Sequence, residues 1–265
     1  MFFRILKRTF WQFYENLLKG LLINLFFSIL LLAIFIVFFI KLEKYEIAFL
    51  LLFFAWHVCS PGIVYYLSKI VTMKEQKSVL SEIFEGITRY FLQGTVFFVI
   101  NLGFFFLFYL AYNFYIRLQT IKILSLILAG ISIWIAVIFI LMQLYLIPIL
   151  ILDENKRIFI SYKKALIMVL SAPFSSLFCM ILISYFLLLF YPLLGVICGS
   201  QIPIAAAVIS LFPIFFMPFF TFVVIMLLQI NSTVLIYEKH NIMPDLKEHW
   251  EQKSMSNFFR PWEDR

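Results

Sequence analysis

Charge is what this chain has least of. Asp, Glu, Lys and Arg make up 13% of its 265 residues, against 64% hydrophobic residues and a mean hydropathy of +1.03. Soluble domains are about a quarter charged, so a chain this poor in charge cannot cover a water-facing surface, and its surplus apolar surface must face lipid. Polar–apolar alternation is missing too. Barrel strands alternate over about ten residues, whereas the apolar runs here are long and continuous. Of the two structures that satisfy every backbone group in a bilayer, the helix remains. Cysteine is scarce as well. Cys59, Cys179 and Cys198 are scattered in apolar stretches, an odd number without paired spacing that argues against a disulfide framework and leaves them as small packing residues.

What is present is a series of charge-free intervals. They run from Lys19 to Lys41, Glu46 to Lys69, Arg89 to Arg117, Lys122 to Asp153 and Lys164 to Glu238. Each reaches the roughly 20 apolar residues that cross a hydrocarbon core. The last is long enough for two crossings, with a turn at Cys198-Gly199-Ser200-Gln201-Ile202-Pro203. The expected fold class is therefore all-α, a polytopic membrane protein of about six transmembrane helices. The spans are placed at 20–40, 47–69, 94–116, 123–152, 171–195 and 204–236, forming one domain over 1–237, and 238–265 is a tail too short for a domain of its own. The apolar stretch near the amino end is too long for a signal peptide, and Ile40-Lys41-Leu42-Glu43 has no small-residue cleavage site, so a retained first span is expected.

The formal charge of +7 reports orientation and attraction to anionic lipid rather than nucleic-acid affinity. All but four of the 21 basic residues fall on one side of the spans, the exceptions being Lys41, Lys44, Arg117 and Lys122. The positive-inside rule then puts both termini and the basic loops in the cytoplasm. Two segments of those loops have helical periodicity. Leu80, Phe84, Ile87 and Phe91 recur within 78–93, with Lys77, Glu82, Glu85 and Arg89 at other positions. Phe159, Tyr162, Leu166 and Val169 recur within 158–170, with Lys163 and Lys164 opposite. Both read as amphipathic helices in the membrane interface. Each follows a span containing a proline, Pro61 or Pro148, which gives a weak internal repeat of span, surface helix, span. The other reading is that both are the cytoplasmic ends of longer membrane helices. Lys74, Lys77, Arg89, Lys156, Arg157, Lys163 and Lys164 are the expected contacts to the cytoplasm or lipid headgroups.

Chemistry is hard to find. The six expected spans hold no carboxylate, and His57 is the one titratable candidate at depth apart from cysteine. It reads as a helix–helix hydrogen-bonding residue rather than a proton carrier, and His57 with Cys59 is too little for a metal site. Asn24, Asn101, Gln143, Gln229 and Asn231 mark interior faces, either packing helices or lining a polar path for a ligand. Pro61, Pro148, Pro213 and Pro218 are expected to kink their helices, and broken helices are where transporters expose backbone to substrate. There is no G-x-S-x-G, H-E-x-x-H or Walker A sequence. Glu82, Glu85, Asp153 and Glu154 read as ordinary solvated carboxylates. The expectation is no catalytic residue, no metal, no cofactor and no enzyme.

Several stretches resemble the YesL-like family, domain of unknown function 624. Phe13-Tyr14-Glu15-Asn16 leads into Asn24 of the first span. Ser60-Pro61-Gly62-Ile63-Val64-Tyr65-Tyr66 is followed by Ile83-Phe84-Glu85-Gly86-Ile87-Thr88-Arg89-Tyr90-Phe91. Tyr145-Leu146-Ile147-Pro148 is followed by Lys163-Lys164-Ala165-Leu166 and Pro173. The chain departs from that pattern in lacking a glycine between Met73 and Lys77. The resemblance implies a multi-pass protein of the bacterial inner membrane, without an assigned activity, accessory to a carbohydrate importer of the ATP-binding-cassette type. The alternative is a small permease or substrate-binding membrane subunit for a neutral solute such as a sugar. The coupling-helix signature of importer permeases, Glu-Ala-Ala with Gly three residues on, is absent around Ser161-Tyr162-Lys163-Lys164.

Overall fold

The computed structural model describes residues 1–35, 37, 45–72, 74, 78–117, 122–153, 157–188 and 222–240. Among these the chain forms α-helices and no strands: α1 (Phe2–Glu15), α2 (Leu17–Phe35), α3 (Tyr45–Val71), α4 (Val79–Arg117), α5 (Lys122–Leu152), α6 (Ile158–Ser171), α7 (Pro173–Leu188) and α8 (Phe222–Lys239). Helices α3, α4, α5 and α8 are long and apolar enough to cross a membrane. The pairs α1–α2 and α6–α7, bent by 90° and 103°, raise the number to as many as six if each pair is one span. The fold is that of a helical membrane protein. The turn at 198–203, Pro213, Pro218, Lys77, Lys156 and most of the tail lie outside the described residues.

The centre of the bundle is α8. Its side chains are buried on every face, including Asn231, Ser232, Thr233 and Glu238, as expected of a helix hydrophobic all round. It packs against α1, α2, α3, α5 and α7. Glu238, assigned to the tail because it is charged, belongs to the buried last turn of this helix.

The closest helix pair is α3 with α4, and glycine is the reason. A Cβ on Gly86 would lie 2.8 Å from the Gly62 Cα, and one on Gly94 would lie 2.5 Å from the His57 carbonyl oxygen. Small residues let backbones approach where lipid offers no hydrophobic drive to association. Pro61 also takes part in this contact. Lacking an N–H, it leaves the His57 carbonyl without its usual i+4 donor, and the Gly94 backbone packs onto that oxygen.

The expected break between a surface helix at 78–93 and a span at 94–116 does not occur. Helix α4 is continuous over 39 residues, about 58 Å at 1.5 Å per residue, well beyond the roughly 30 Å of hydrocarbon. The stripe of Leu80, Phe84 and Phe91 is exposed, while Ile83, Gly86, Tyr90 and Gln93 are buried. The segment 158–171 does form a helix of its own. Ala172, with φ −140° and ψ 56°, ends α6, and Pro173 opens α7. Proline disfavours helical geometry in the residue before it and fits the first helical position after the break. Gly94 occupies the corresponding place in the first repeat and imposes no such stop. Pro61 and Pro148 lie inside α3 and α5, each of which runs through its proline as one helix.

Helix α1 was not anticipated. Asn16, with φ −111° and ψ 28°, ends it, and its side-chain amide donates to the Gln12 carbonyl at 3.0 Å.

Candidate functional site

Three polar groupings hold the helices together. The first joins α3, α4 and α5. His57 Nδ1 lies 2.8 Å from the Phe53 carbonyl, which can only accept, so Nδ1 carries the proton. Nε2 is then an acceptor, and Asn101 Nδ2 donates to it at 2.7 Å. The same Asn101 nitrogen donates to Gln143 Oε1 at 3.0 Å. Phe53 and Phe98 flank the imidazole, with ring centroids 4.4 and 6.1 Å from it. This pattern fits neutral imidazole: a second ring proton would point at the Asn101 amide donor. Three of the singled-out polar residues are thus brought together, with Gln143 also donating to the Phe139 carbonyl and Asn101 Oδ1 left without a partner among the described residues.

The others lie elsewhere. Asn24 Oδ1 accepts the Val223 N–H at 3.0 Å, satisfying one of the free donors at the start of α8. Asn231 Nδ2 donates to Thr9 Oγ1 at 3.1 Å and to Gln12 Oε1 at 2.8 Å. Gln229 joins neither grouping, and its buried Oε1 has no hydrogen-bond partner among the described residues.

The second grouping docks α1 on α8. Arg8 Nη1 donates to Glu238 Oε1 at 2.9 Å, with both side chains almost wholly buried. Together with the Asn231 bonds, it anchors the amino-terminal helix across the central one. Sequence inspection missed this pair, because charges at the two ends of an apolar chain read as solvated flanks. The available signal was the spacing of Ile5, Thr9 and Gln12 on one face with Arg8 beside them.

The third grouping lies at the same end of the bundle, where α3, α5 and α8 finish and α4 and α6 begin. Asp153 accepts from the Tyr237 hydroxyl at 2.7 Å and from Lys164. Glu82, fully buried, accepts from Lys69 at 3.1 Å. Glu85 accepts from the Tyr65 hydroxyl at 3.1 Å. Glu82 and Asp153 are therefore structural partners rather than the solvated groups expected, while Glu85 is exposed as expected and Glu154 lies outside the described residues. Of the expected basic contacts, Lys74, Arg89, Arg157 and Lys163 are exposed, and Lys164 is half-buried against Asp153.

No family model matches this chain, and neither the curated proteins nor the solved structures contain a match to it.

Proposed function

We propose that this chain is a non-enzymatic accessory protein of the bacterial inner membrane that serves a carbohydrate importer of the ATP-binding-cassette type. In this reading both termini and the basic end of the bundle face the cytoplasm, where the importer's partner surface is met. The resemblance to the YesL-like family supplies the association. The observation that carries it beyond resemblance is the fate of the polar residues at depth. His57, Asn101 and Gln143 bond to each other, Asn24 caps α8, and Asn231 holds α1. Most of the hydrogen bonds that these side chains make join one helix to another, which favours a structural role over recognition of a passing sugar. Most of the described charged groups lie instead toward one end, next to the start of the long α4 and the separate α6.

The test is recovery of the tagged chain from mildly solubilised native membranes. Permease or ATPase subunits of a carbohydrate importer are expected to come with it. A chain that always emerges free of transporter subunits contradicts the proposal. So does specific binding of a sugar by the purified protein, which would make it the permease or capturing subunit instead.

A further inference from the structure

A pocket of about 90 Å³ opens at the basic end between α3, α4 and the last turn of α5. One water needs roughly 10–15 Å³ on that measure, so the space admits a group of several heavy atoms. Among the described residues its charged lining is of one sign: Lys69, Lys74 and Arg89, with Tyr65, Thr72 and Tyr90 beside them. The nearby carboxylates Glu82 and Glu85 bond Lys69 and Tyr65 and are not part of the lining.

Two of the cations pack on one aromatic ring. Lys69 Nζ is 4.6 Å and Arg89 Cζ is 5.9 Å from the centre of the Tyr65 ring, so the two charges share one aromatic neighbour. Arg89 is also 5.6 Å from the Tyr90 ring. Lys69 spends donors on Glu82 and Tyr65, and an ammonium has three. Lys74 and Arg89 are exposed and can be reached from outside.

Cations at helix carboxyl ends can serve simply to offset the dipole. That explains little here. The end of α3 is already capped: the Ser68 carbonyl accepts from both the Thr72 N–H and the Thr72 hydroxyl, and the Lys69 carbonyl accepts from the Lys74 N–H. Arg89 belongs to the body of α4 and is not at that helix's own carboxyl end.

We propose that this pocket binds a phosphate oxyanion, clasped by Lys69, Lys74 and Arg89, and that its source is the headgroup of an anionic phospholipid. Like charges packed around a polar opening favour an anion between them, and a basic pocket between membrane helices near the headgroup level is suited to an acidic lipid. The inference is independent of any importer and stands if that association fails.

The experiment is native mass spectrometry of the purified full chain with phosphatidylglycerol or phosphatidylcholine. One phosphatidylglycerol is expected to stay bound under conditions that strip phosphatidylcholine. The double variant Lys74→Gln, Arg89→Gln is expected to retain it about tenfold less. Lys239→Gln, which removes an exposed lysine at the same end but outside the pocket, is expected to retain it as the parent does. Equal retention by the double variant overturns the proposal, as does equal loss in Lys239→Gln, which would mean general attraction to charge. A second arm follows the melting temperature in detergent with inorganic phosphate against chloride at matched ionic strength. Stabilisation by phosphate that the double variant loses, with no selective lipid retention, overturns the lipid as source in favour of a soluble anion. Lower melting of the double variant with lipid retention intact overturns the site and leaves the cations a purely structural role.

Discussion

Removing one partner of the Arg8–Glu238 pair leaves a buried charge facing the other, a loss of about 3–5 kcal/mol where such pairs have been broken, whereas replacing both partners with apolar residues is often neutral. Arg8→Met and Glu238→Leu are each expected to lower the melting temperature in detergent, and the double variant to recover most of the loss. Additive losses would show that the two side chains do not depend on each other. Asn101 joins two neighbours, so Asn101→Leu breaks two hydrogen bonds, each worth about 0.6–1.7 kcal/mol within a membrane protein. Its effect is expected to exceed that of Gln143→Leu, which breaks the Asn101–Gln143 bond alone of those two. Glycine offers a sharper contrast. A Cβ at Gly94 meets the His57 carbonyl oxygen at 2.5 Å, while one at Gly103 meets nothing within 4 Å. Gly94→Ala is expected to destabilise by about 1–3 kcal/mol through overpacking. Gly103→Ala is expected to be neutral or to gain up to about 1 kcal/mol in helix propensity. Equal responses in thermal melting would rule out the close approach of α3 and α4.

Among the elements, the two halves of the internal repeat separate on a single residue type. Pro173 stops α6 and turns the chain through 103° into α7, while Gly94 lets α4 continue. Cysteine scanning along 79–101 should therefore show one unbroken helical period, with positions 84, 85, 88, 91 and 92 reactive and 83, 86, 90, 94 and 97 protected. A shift of phase near Gln93 would restore the separate surface helix. Much of this level is written in the sequence, because charge marks where helices leave the hydrocarbon: α3, α5 and the start of α6 fall close to their expected limits. Two things were not legible. Arg8 and Lys7 look like flanking charges, so the amphipathic α1 was hidden by its own polar face. The glycines of α4 look like helix weakeners, and their use becomes visible only when α3 lies against them.

At the scale of the molecule, polarity at depth was readable but its pairing was not. His57, Asn101 and Gln143 stand out as polar residues in apolar runs, yet nothing in spacing says that they meet each other while Gln229 stands apart. Arg8 and Glu238 are 230 positions apart, and only the packed bundle joins them. What emerges is a membrane protein whose polar interior binds helix to helix, and most of whose described charged residues lie toward one end. The function proposed here requires that this end face the cytoplasm. Single cysteines replacing Lys74, Arg157 and Arg117, in a chain with Cys59, Cys179 and Cys198 removed, can be probed with a membrane-impermeant thiol reagent. Positions 74 and 157 are expected to react in inverted vesicles and not in intact cells, with position 117 doing the reverse. Labelling of position 74 or 157 from outside intact cells would contradict the cytoplasmic placement of the basic end, and with it the proposed meeting with an importer.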